Sequence, residues 1–250
     1  MDSLLVFDVD GTLTGPRRRM HEDFSRFFKS ICRNYLVFLV SGSDLGKLEQ
    51  QLPPEVMGLV TGIFACSGNE FFMDGRAIFR MEHHFPTEII TFFENYVKAS
   101  PYQLRVGNHL ENRTGTLNVS VVGRNADPKQ RLDYFDYDNK NGERESLIEA
   151  FAQKFPDYEA NIGGQISVDI TPKGWNKSRV YGELSTRYPG SPIAFFGDNM
   201  HVGGNDRPLG DAITNSSGQN KVFAVEDHYD TWRILQHQYC PQARSHTQVA

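Results

Sequence analysis

FDVDGTLT, residues 7–14, places two aspartates two positions apart directly after a short apolar run, Leu4–Phe7. An apolar run that stops at a polar turn is typical of a buried strand. In open α/β sheets, ligands bind outside the carboxyl ends of the strands. Carboxylates clustered there repel one another, so a cation is expected among them, and Mg²⁺ prefers oxygen ligands. The turn is therefore suited to a magnesium site, where one aspartate can attack phosphorus to form an aspartyl-phosphate and the second acid can move a proton to or from the substrate oxygen.

Taken alone, the same turn is equally compatible with two solvated aspartates, so the surrounding pattern has to decide. Phenylalanines recur at helical spacing within 21–33, and the apolar run 35–40 indicates a second strand. Asp44 is placed to cap a further helix. Alternating strands and helices favour a parallel sheet. A hairpin about Asp74-Gly75 is expected within 71–79.

In the middle of the chain, predicted strands come in runs that are separated by helices. This order favours an antiparallel sheet covered by helices. Helices are predicted at 87–99 and in two parts of 127–155, and strands at 103–109, 116–122, 159–162 and 165–170. Strands and helices alternate again after residue 174. A helix is predicted at 177–184, strands at 192–196 and 221–225, and a last helix at 229–238.

The predicted fold class is therefore α/β. A Rossmann-like core with a parallel sheet takes residues 1–81 and 174–250, and an inserted α+β cap with an antiparallel sheet takes residues 82–173.

Composition narrows the possible classes of protein. The chain has 250 residues, a net charge of −5 and 39% hydrophobic residues, which excludes a disordered or fibrous protein and argues against one that coats nucleic acid. No run approaches the roughly 18 apolar residues of a membrane span. The stretch 1–7 lacks the basic region of a secretion signal, and the three cysteines are widely spaced. We therefore expect a protein of a reducing compartment with no membrane or nucleic-acid partner.

Three later stretches carry side chains suited to the same chemistry. Ser41 follows the second predicted strand, Lys177 opens the helix after the insert, and Asp198 and Asp206 follow a later strand. With the opening turn, they resemble the haloacid-dehalogenase (HAD) superfamily of phosphotransferases. The resemblance implies that Ser41 and Lys177 bind the transferring phosphoryl oxygens. It also implies a Mg²⁺ site formed by the four aspartates, Asp8, Asp10, Asp198 and Asp206.

The predicted cap contains groups suited to a phosphorylated sugar. Arg113, Arg124 and Arg131 come from one lobe, and arginines bind phosphate through bidentate hydrogen bonds. Ser167 and Asp169 alternate along a predicted strand and so share a face. A hydroxyl and a carboxylate on one face suit the hydroxyl groups of a sugar.

From Phe7 to about Asp211, the chain resembles the eukaryotic-type phosphomannomutases of that superfamily. The resemblance implies that Asp8 is the phosphorylated nucleophile and Asp10 the general acid and base. The implied substrate contacts are Arg17, Arg113, Arg124, Arg131, Ser167 and Asp169.

The same resemblance implies interconversion of mannose 1-phosphate and mannose 6-phosphate, with glucose phosphates as a second substrate pair. It further implies a requirement for Mg²⁺, a hexose 1,6-bisphosphate activator, a cytoplasmic homodimer joined through the caps and a place in GDP-mannose biosynthesis.

Two alternatives remain at this point. That family usually has glycine where this chain has Ser41, and a serine there is more typical of a sugar-phosphate phosphatase. Mutase and phosphatase differ in whether water reaches the aspartyl-phosphate. A phosphosugar-binding module without chemistry is the non-enzyme alternative, and Asp8, Asp10, Lys177 and Asp198 argue against it because binding needs only the arginines.

Overall fold

The computed structural model describes residues 3–15 and 18–239, so the substrate contact predicted at Arg17 lies outside the described residues. The chain forms two compact units. The core unit consists of Met1–Phe79 and Lys177–Ala250, and the inserted unit consists of Arg80–Asn176. The core unit is thus discontinuous in sequence, whereas the inserted unit is one continuous stretch. That these units act as a catalytic core and a substrate-binding cap stays a prediction.

Strands and helices follow one another along the chain as follows. The strands are β1 (Leu4–Phe7), β2 (Leu36–Val40), β3 (Gly62–Ala65), β4 (Glu70–Met73), β5 (Arg76–Arg80), β6 (Leu110–Arg113), β7 (Thr116–Val119), β8 (Tyr158–Gly163), β9 (Ser167–Pro172), β10 (Ile193–Gly197) and β11 (Lys221–Ala224). The helices are α1 (Glu22–Asn34), α2 (Leu45–Gln51), α3 (Pro54–Met57), α4 (Thr87–Ala99), α5 (Pro128–Asn141), α6 (Glu143–Lys154), α7 (Arg179–Arg187), α8 (Arg207–Thr214) and α9 (His228–Gln238).

The core unit is built on a sheet whose described strands have the order β11-β10-β1-β2-β3-β4-β5. β1 pairs in parallel with both β10 and β2, β10 with β11, and β2 with β3, while β4 runs antiparallel to β3. The predicted α/β class with a largely parallel sheet is confirmed. Because parallel strands end at the same edge of a sheet, the residues that follow β10, β1 and β2 lie next to one another.

Both faces of this sheet are buried, which explains why its strands are continuously apolar. Successive side chains of a strand point to opposite faces. Leu5 and Phe7 therefore pack in one cluster with Phe28 of α1, and Leu4 and Val6 pack in the other with helices α7 and α8. Each fully buried side chain of this kind contributes roughly 1.5–3 kcal/mol.

The predicted hairpin between β4 and β5 is confirmed. Asp74 and Gly75 join the two strands, and both take positive φ values, 49° and 69°. An Asp-Gly pair suits this turn because aspartate tolerates the left-handed region and glycine has no Cβ.

The inserted unit has an antiparallel sheet with the order β6-β7-β9-β8. One face is apolar and packs against helices, with Leu117, Val168 and Ile170 in contact with a cluster that includes Phe93 and Phe151. The other face is polar. The predicted α+β insert with an antiparallel sheet is confirmed.

The strand predicted at 103–109 is wrong, because the first strand of this sheet begins only at Leu110. Arg105 has a different use: its guanidinium donates to the Val97 carbonyl at 2.6 Å and to the Ser100 carbonyl at 3.2 Å, at the end of α4. These carbonyls have no partner within the helix, and a basic side chain near a helix end satisfies them. Gly107, with φ of +67°, then turns the chain.

Within the described residues, no helix is both long enough and apolar enough to cross a membrane.

Candidate active site

Asp8 lies at the carboxyl edge of the core sheet, directly after β1. Its backbone N–H donates to the Phe196 carbonyl at 2.9 Å, which continues the pairing of β1 with β10. Asp198 follows β10 on one side, and Ser41 follows β2 on the other. The parallel order of β10, β1 and β2 thus places the two acids and the hydroxyl side by side.

Lys177 joins two of the acids. Its Nζ donates to Oδ1 of Asp8 at 2.5 Å and to Oδ1 of Asp206 at 2.6 Å. Lys177 is 1% exposed and Asp206 0%, so solvent does not screen this contact. The lysine therefore holds the Asp8 carboxylate in one position.

Asp206 is fixed from its other side as well. The Asn199 N–H donates to its Oδ2 at 3.0 Å, and Asp206 N–H donates to the Asn199 carbonyl at 3.3 Å. A Cβ added at Gly197 would lie 2.8 Å from the Asp206 carboxyl carbon. Glycine at 197 therefore allows this carboxylate to lie against the end of β10.

The geometry of three carboxylates fits a bound cation. Ligand atoms of Asp8, Asp198 and Asp206 lie within 4.8 Å of one another. The Oδ1 atom of Asp198 is buried and has no hydrogen-bond partner among the described residues. A buried polar atom without a partner is costly, and a metal ion would satisfy it. A hard divalent cation such as Mg²⁺ suits an all-carboxylate donor set.

The charges of the cluster support the same conclusion. Burial raises the pKa of the Asp8 carboxyl well above its ordinary range, and the charge of Asp206 raises it further, while Lys177 opposes the rise. Burial and the charge of Asp206 raise the pKa of Asp198 to about 6. Burial alone would lower the pKa of Lys177, but the two bound carboxylates raise it above its ordinary value. The ammonium stays protonated, and the site remains short of positive charge.

Asp10 lies outside this group of three. Its Oδ1 accepts a hydrogen bond from Nε2 of Gln51 at 2.8 Å, and its negative charge contributes to the raised pKa of Asp198. The part that Asp10 takes in metal binding stays a prediction.

Ser41 is buried, and its surroundings order the loop that carries it. Its backbone N–H donates to the Phe64 carbonyl at 2.9 Å, and its carbonyl accepts from the Ser67 N–H at 2.8 Å. Its Oγ accepts from the Ser43 N–H at 3.0 Å. The hydroxyl therefore has a defined position beside the end of β1.

In the inserted unit, two of the predicted arginines meet at one carboxylate. Oε2 of Glu111 is 2.6 Å from Nη2 of Arg113 and 3.1 Å from Nε of Arg124. Both arginine side chains are largely buried, at 19% and 20% exposed. These two guanidiniums can thus reach a common anionic oxygen. Arg131 is half-buried in the first turn of α5.

Ser167 and Asp169 lie on the polar face of the same sheet, on β9. Oγ of Ser167 donates to the Gly163 carbonyl at 2.6 Å. Oδ1 of Asp169 accepts from Nδ2 of Asn118 at 2.5 Å, across the pairing of β7 with β9. The carboxylate of Asp169 is therefore oriented by a buried amide.

Sequence reasoning missed Gln51, Glu111 and Asn118. Strand alternation is a signal for two of them, because Glu111 is two residues from Arg113 and Asn118 pairs with Asp169. No signal of this kind exists for Gln51, whose contact with Asp10 spans 41 positions.

Comparison with known proteins identifies relatives over most of the chain. The family model described as eukaryotic phosphomannomutase matches residues 24–239. The phosphomannomutase of Saccharomyces cerevisiae is 33% identical over 238 residues, which cover 89% of this chain and 93% of the yeast protein. That of Triticum aestivum is 33% identical over 214 residues, which cover 82% and 85%.

Solved structures with a similar fold include two sugar phosphatases. The C-terminal domain of Candida albicans trehalose-6-phosphate phosphatase superposes with a TM-score of 0.64 at 16% identity, covering 94% of this chain and 91% of that one. The HAD subclass IIB sugar phosphatase BT4131 gives a TM-score of 0.58 at 15% identity, covering 94% and 98%. At these identities, the likeness shows the fold.

Proposed function

This chain belongs to the eukaryotic phosphomannomutase family, and we propose that it interconverts mannose 1-phosphate and mannose 6-phosphate through a phosphorylated Asp8. Glucose 1-phosphate and glucose 6-phosphate are a second proposed substrate pair, because glucose and mannose differ at one hydroxyl group.

The observation that carries this proposal is the buried carboxylate of Asp8, which Lys177 holds beside Asp198 and Asp206. A nucleophile has to be fixed relative to the phosphorus that it attacks. Binding a phosphosugar requires none of this machinery, so the arrangement favours an enzyme over a binding module.

In the proposed reaction, an oxygen of Asp8 attacks a phosphorus of a hexose 1,6-bisphosphate. The bond from that phosphorus to the sugar oxygen breaks, and the sugar oxygen takes a proton from Asp10. Mannose 1-phosphate then binds to the phosphorylated enzyme and presents its 6-hydroxyl, which gives its proton to Asp10 and attacks the phosphorus on Asp8, so that the Asp8 carboxylate is released. The resulting 1,6-bisphosphate turns over within the site, returns its 1-phosphate to Asp8 as its 1-oxygen takes the proton from Asp10, and leaves as mannose 6-phosphate. The net change is movement of one phosphate between positions 1 and 6.

Electrostatic stabilisation is the main contribution of the remaining core residues. In this proposal, the Lys177 ammonium and the Ser41 hydroxyl bind the transferring phosphoryl oxygens. Mg²⁺ held by Asp8, Asp10, Asp198 and Asp206 would offset the negative charge of the phosphoryl group. The charge deficit of the carboxylate cluster supports this assignment.

The inserted unit supplies the groups for substrate recognition in this proposal. Arg113, Arg124 and Arg131 bind the phosphate that does not react, and Ser167 and Asp169 bind sugar hydroxyls. The shared contact of Arg113 and Arg124 with Glu111 supports the first assignment, since it shows both guanidiniums next to one anionic group. Arg17 is added on the family resemblance alone.

The family resemblance also supports four finer proposals: activation by a hexose 1,6-bisphosphate, a homodimer joined through the inserted units, a cytoplasmic location and a place in GDP-mannose biosynthesis.

The proposal is tested by following one reaction in two ways. The enzyme is incubated with Mg²⁺, mannose 1-phosphate and a trace of glucose 1,6-bisphosphate, and mannose 6-phosphate and free phosphate are quantified together by phosphorus NMR. We expect mannose 6-phosphate with little free phosphate. If free phosphate dominates, water reaches phosphorylated Asp8 and the chain acts as the sugar-phosphate phosphatase that Ser41 favours. If neither product forms, the mannose phosphate assignment is wrong.

The nucleophile is tested separately. Asp8→Asn is expected to abolish turnover while the fold is kept, because an amide oxygen does not form the phosphoaspartate. Asp74→Asn is the matched control, since it makes the same change in an exposed turn. Normal turnover by Asp8→Asn would remove Asp8 from the mechanism.

A further inference from the structure

We propose that Gln51 is a positioning residue whose side-chain amide holds the Asp10 carboxylate in the orientation that proton transfer requires. The inference rests on the proposed function, in which Asp10 is the general acid and base.

Gln51 is the last residue of α2, and its side chain is directed at the acidic turn. It is 7% exposed. Its Nε2 lies 2.8 Å from Oδ1 of Asp10 and 3.4 Å from Oγ1 of Thr14. A primary amide nitrogen carries two hydrogens, so it can donate to both oxygens at once.

These two acceptors lie at the two ends of one tight loop. The Gly11 N–H donates to the Thr14 carbonyl at 2.8 Å, and the Thr14 N–H donates to the Val9 carbonyl at 3.0 Å. The Gln51 amide bridges the ends of this loop. The backbone carbonyl of Gln51 also accepts a hydrogen bond from the Met20 N–H at 2.9 Å. Gln51 therefore contacts both the turn and a residue that follows it in the chain.

The chemistry of the group limits what it can do. An amide NH₂ donates hydrogen bonds but does not accept the proton that Asp10 exchanges with the substrate. Gln51 therefore acts on catalysis through the orientation of Asp10. General acid–base catalysis depends on that orientation, and a displacement of about 1 Å at a reacting group costs on the order of 100-fold in rate.

The chain offers a matched pair of variants on one helix. Gln51→Met keeps the length of the side chain and removes the donor, and Gln50→Met makes the same change at an exposed neighbouring position. For Gln51→Met we expect kcat for mannose phosphate interconversion to fall roughly 10- to 100-fold with KM within about twofold. Gln50→Met is expected to leave both constants unchanged.

A double-mutant cycle separates positioning from a structural role. Asp10→Asn removes the proton-transfer group, so adding Gln51→Met to it should cost no further activity, measured in single-turnover reactions. Circular dichroism and thermal unfolding confirm that each variant is folded. If Gln51→Met does not fold, Gln51→Asn replaces it, since that amide is one methylene too short to reach Asp10 and should show the same loss.

Failure of the inference is distinct from failure of the proposed function. If the unmodified enzyme interconverts no hexose phosphates, the proposed function is wrong. If the unmodified enzyme is active and Gln51→Met keeps its kcat, or if the loss persists undiminished when Asp10 is already Asn, Gln51 does not position Asp10.

Discussion

Gly11 and Asp198 are packed against each other at the carboxyl edge of the core sheet. A Cβ at residue 11 would lie 2.3 Å from Oδ2 of Asp198. Gly11 also has φ of +84°, a conformation that L side chains rarely adopt. The backbone of the acidic turn and the carboxylate that follows β10 are therefore in contact because residue 11 has no side chain.

This contact predicts the effect of Gly11→Ala. The methyl group would displace Asp198 from the other carboxylates, so we expect loss of activity by roughly 100-fold or more and weaker Mg²⁺ binding in calorimetric titration. The strained backbone should also lower the free energy of unfolding by about 1–3 kcal/mol.

Gly75→Ala is the control for backbone strain. Gly75 has φ of +69°, but no atom in the described part of the chain lies within 4 Å of an added Cβ. The Gly75→Ala variant should lose a similar free energy of unfolding and keep full activity. Equal activity of Gly11→Ala and Gly75→Ala would show that the contact between Gly11 and Asp198 does not affect activity.

The buried ammonium of Lys177 predicts a large effect on stability. Lys177→Met leaves the Asp8 and Asp206 carboxylates buried without their cation, which typically costs about 3–5 kcal/mol. Urea unfolding measures this loss. Addition of Mg²⁺ should recover part of it, because the ion replaces the missing positive charge. The exposed pair of Lys129 with Asp133 is the comparison, and Lys129→Met is expected to change stability little.

The amide of Asn118 predicts a change in substrate binding. Asn118→Ala removes the donor to Asp169, and a hydrogen bond to a charged group is worth about 1.5–3 kcal/mol. If Asp169 binds a sugar hydroxyl, KM for mannose 1-phosphate should rise roughly 10-fold or more, with kcat changed less. Asn112→Ala, at an exposed position on the neighbouring strand, should leave KM unchanged. A normal KM for Asn118→Ala would count against the role proposed for Asp169.

The tyrosines around Glu143 predict a loss of stability at alkaline pH. Burial, with a smaller effect of the Glu143 charge, raises the pKa of Tyr96 from 10 to about 12. The same two causes raise the pKa of Tyr134 well above its ordinary value, and its hydroxyl donates to Oε2 of Glu143 at 3.0 Å. The folded chain holds these protons after the unfolded chain has lost them. The resulting stabilisation is complete below about pH 10 and is lost as pH rises towards 12.

Urea unfolding at a series of pH values from 9 to 11 checks this slope. Tyr134→Phe removes one titrating group, so its stability should fall less steeply with pH. Tyr229→Phe, at an exposed position, should keep the original slope. Identical slopes for all three proteins would contradict the assignment.

Local patterns place three residues at the carboxyl edge of the core sheet, and the resemblance to the HAD superfamily implies their roles. Asp8, Ser41 and Asp198 each follow an apolar strand, and parallel pairing brings strand ends together. Lys177 was predicted from the order of motifs. Its simultaneous contact with Asp8 and Asp206 depends on side-chain positions that no spacing in the sequence specifies.

The errors and omissions have a common physical cause. Residues 103–109 look like a strand, but Arg105 is used to satisfy carbonyls at the end of α4 instead. Gln51 and Asp10 meet only after α2 has packed beside the first turn. Both are side-chain hydrogen bonds, and local propensity carries no information about such bonds.

The discontinuity of the core unit has a consequence for biosynthesis. β1 is complete once residue 7 has been made, but its partner β10 is not complete until residue 197. During translation, the inserted unit of residues 80–176 is therefore finished while β1 still has one unpaired edge. We expect the inserted unit to acquire its structure first on the ribosome, and the nucleophile to reach its final surroundings only when nearly the whole chain has emerged.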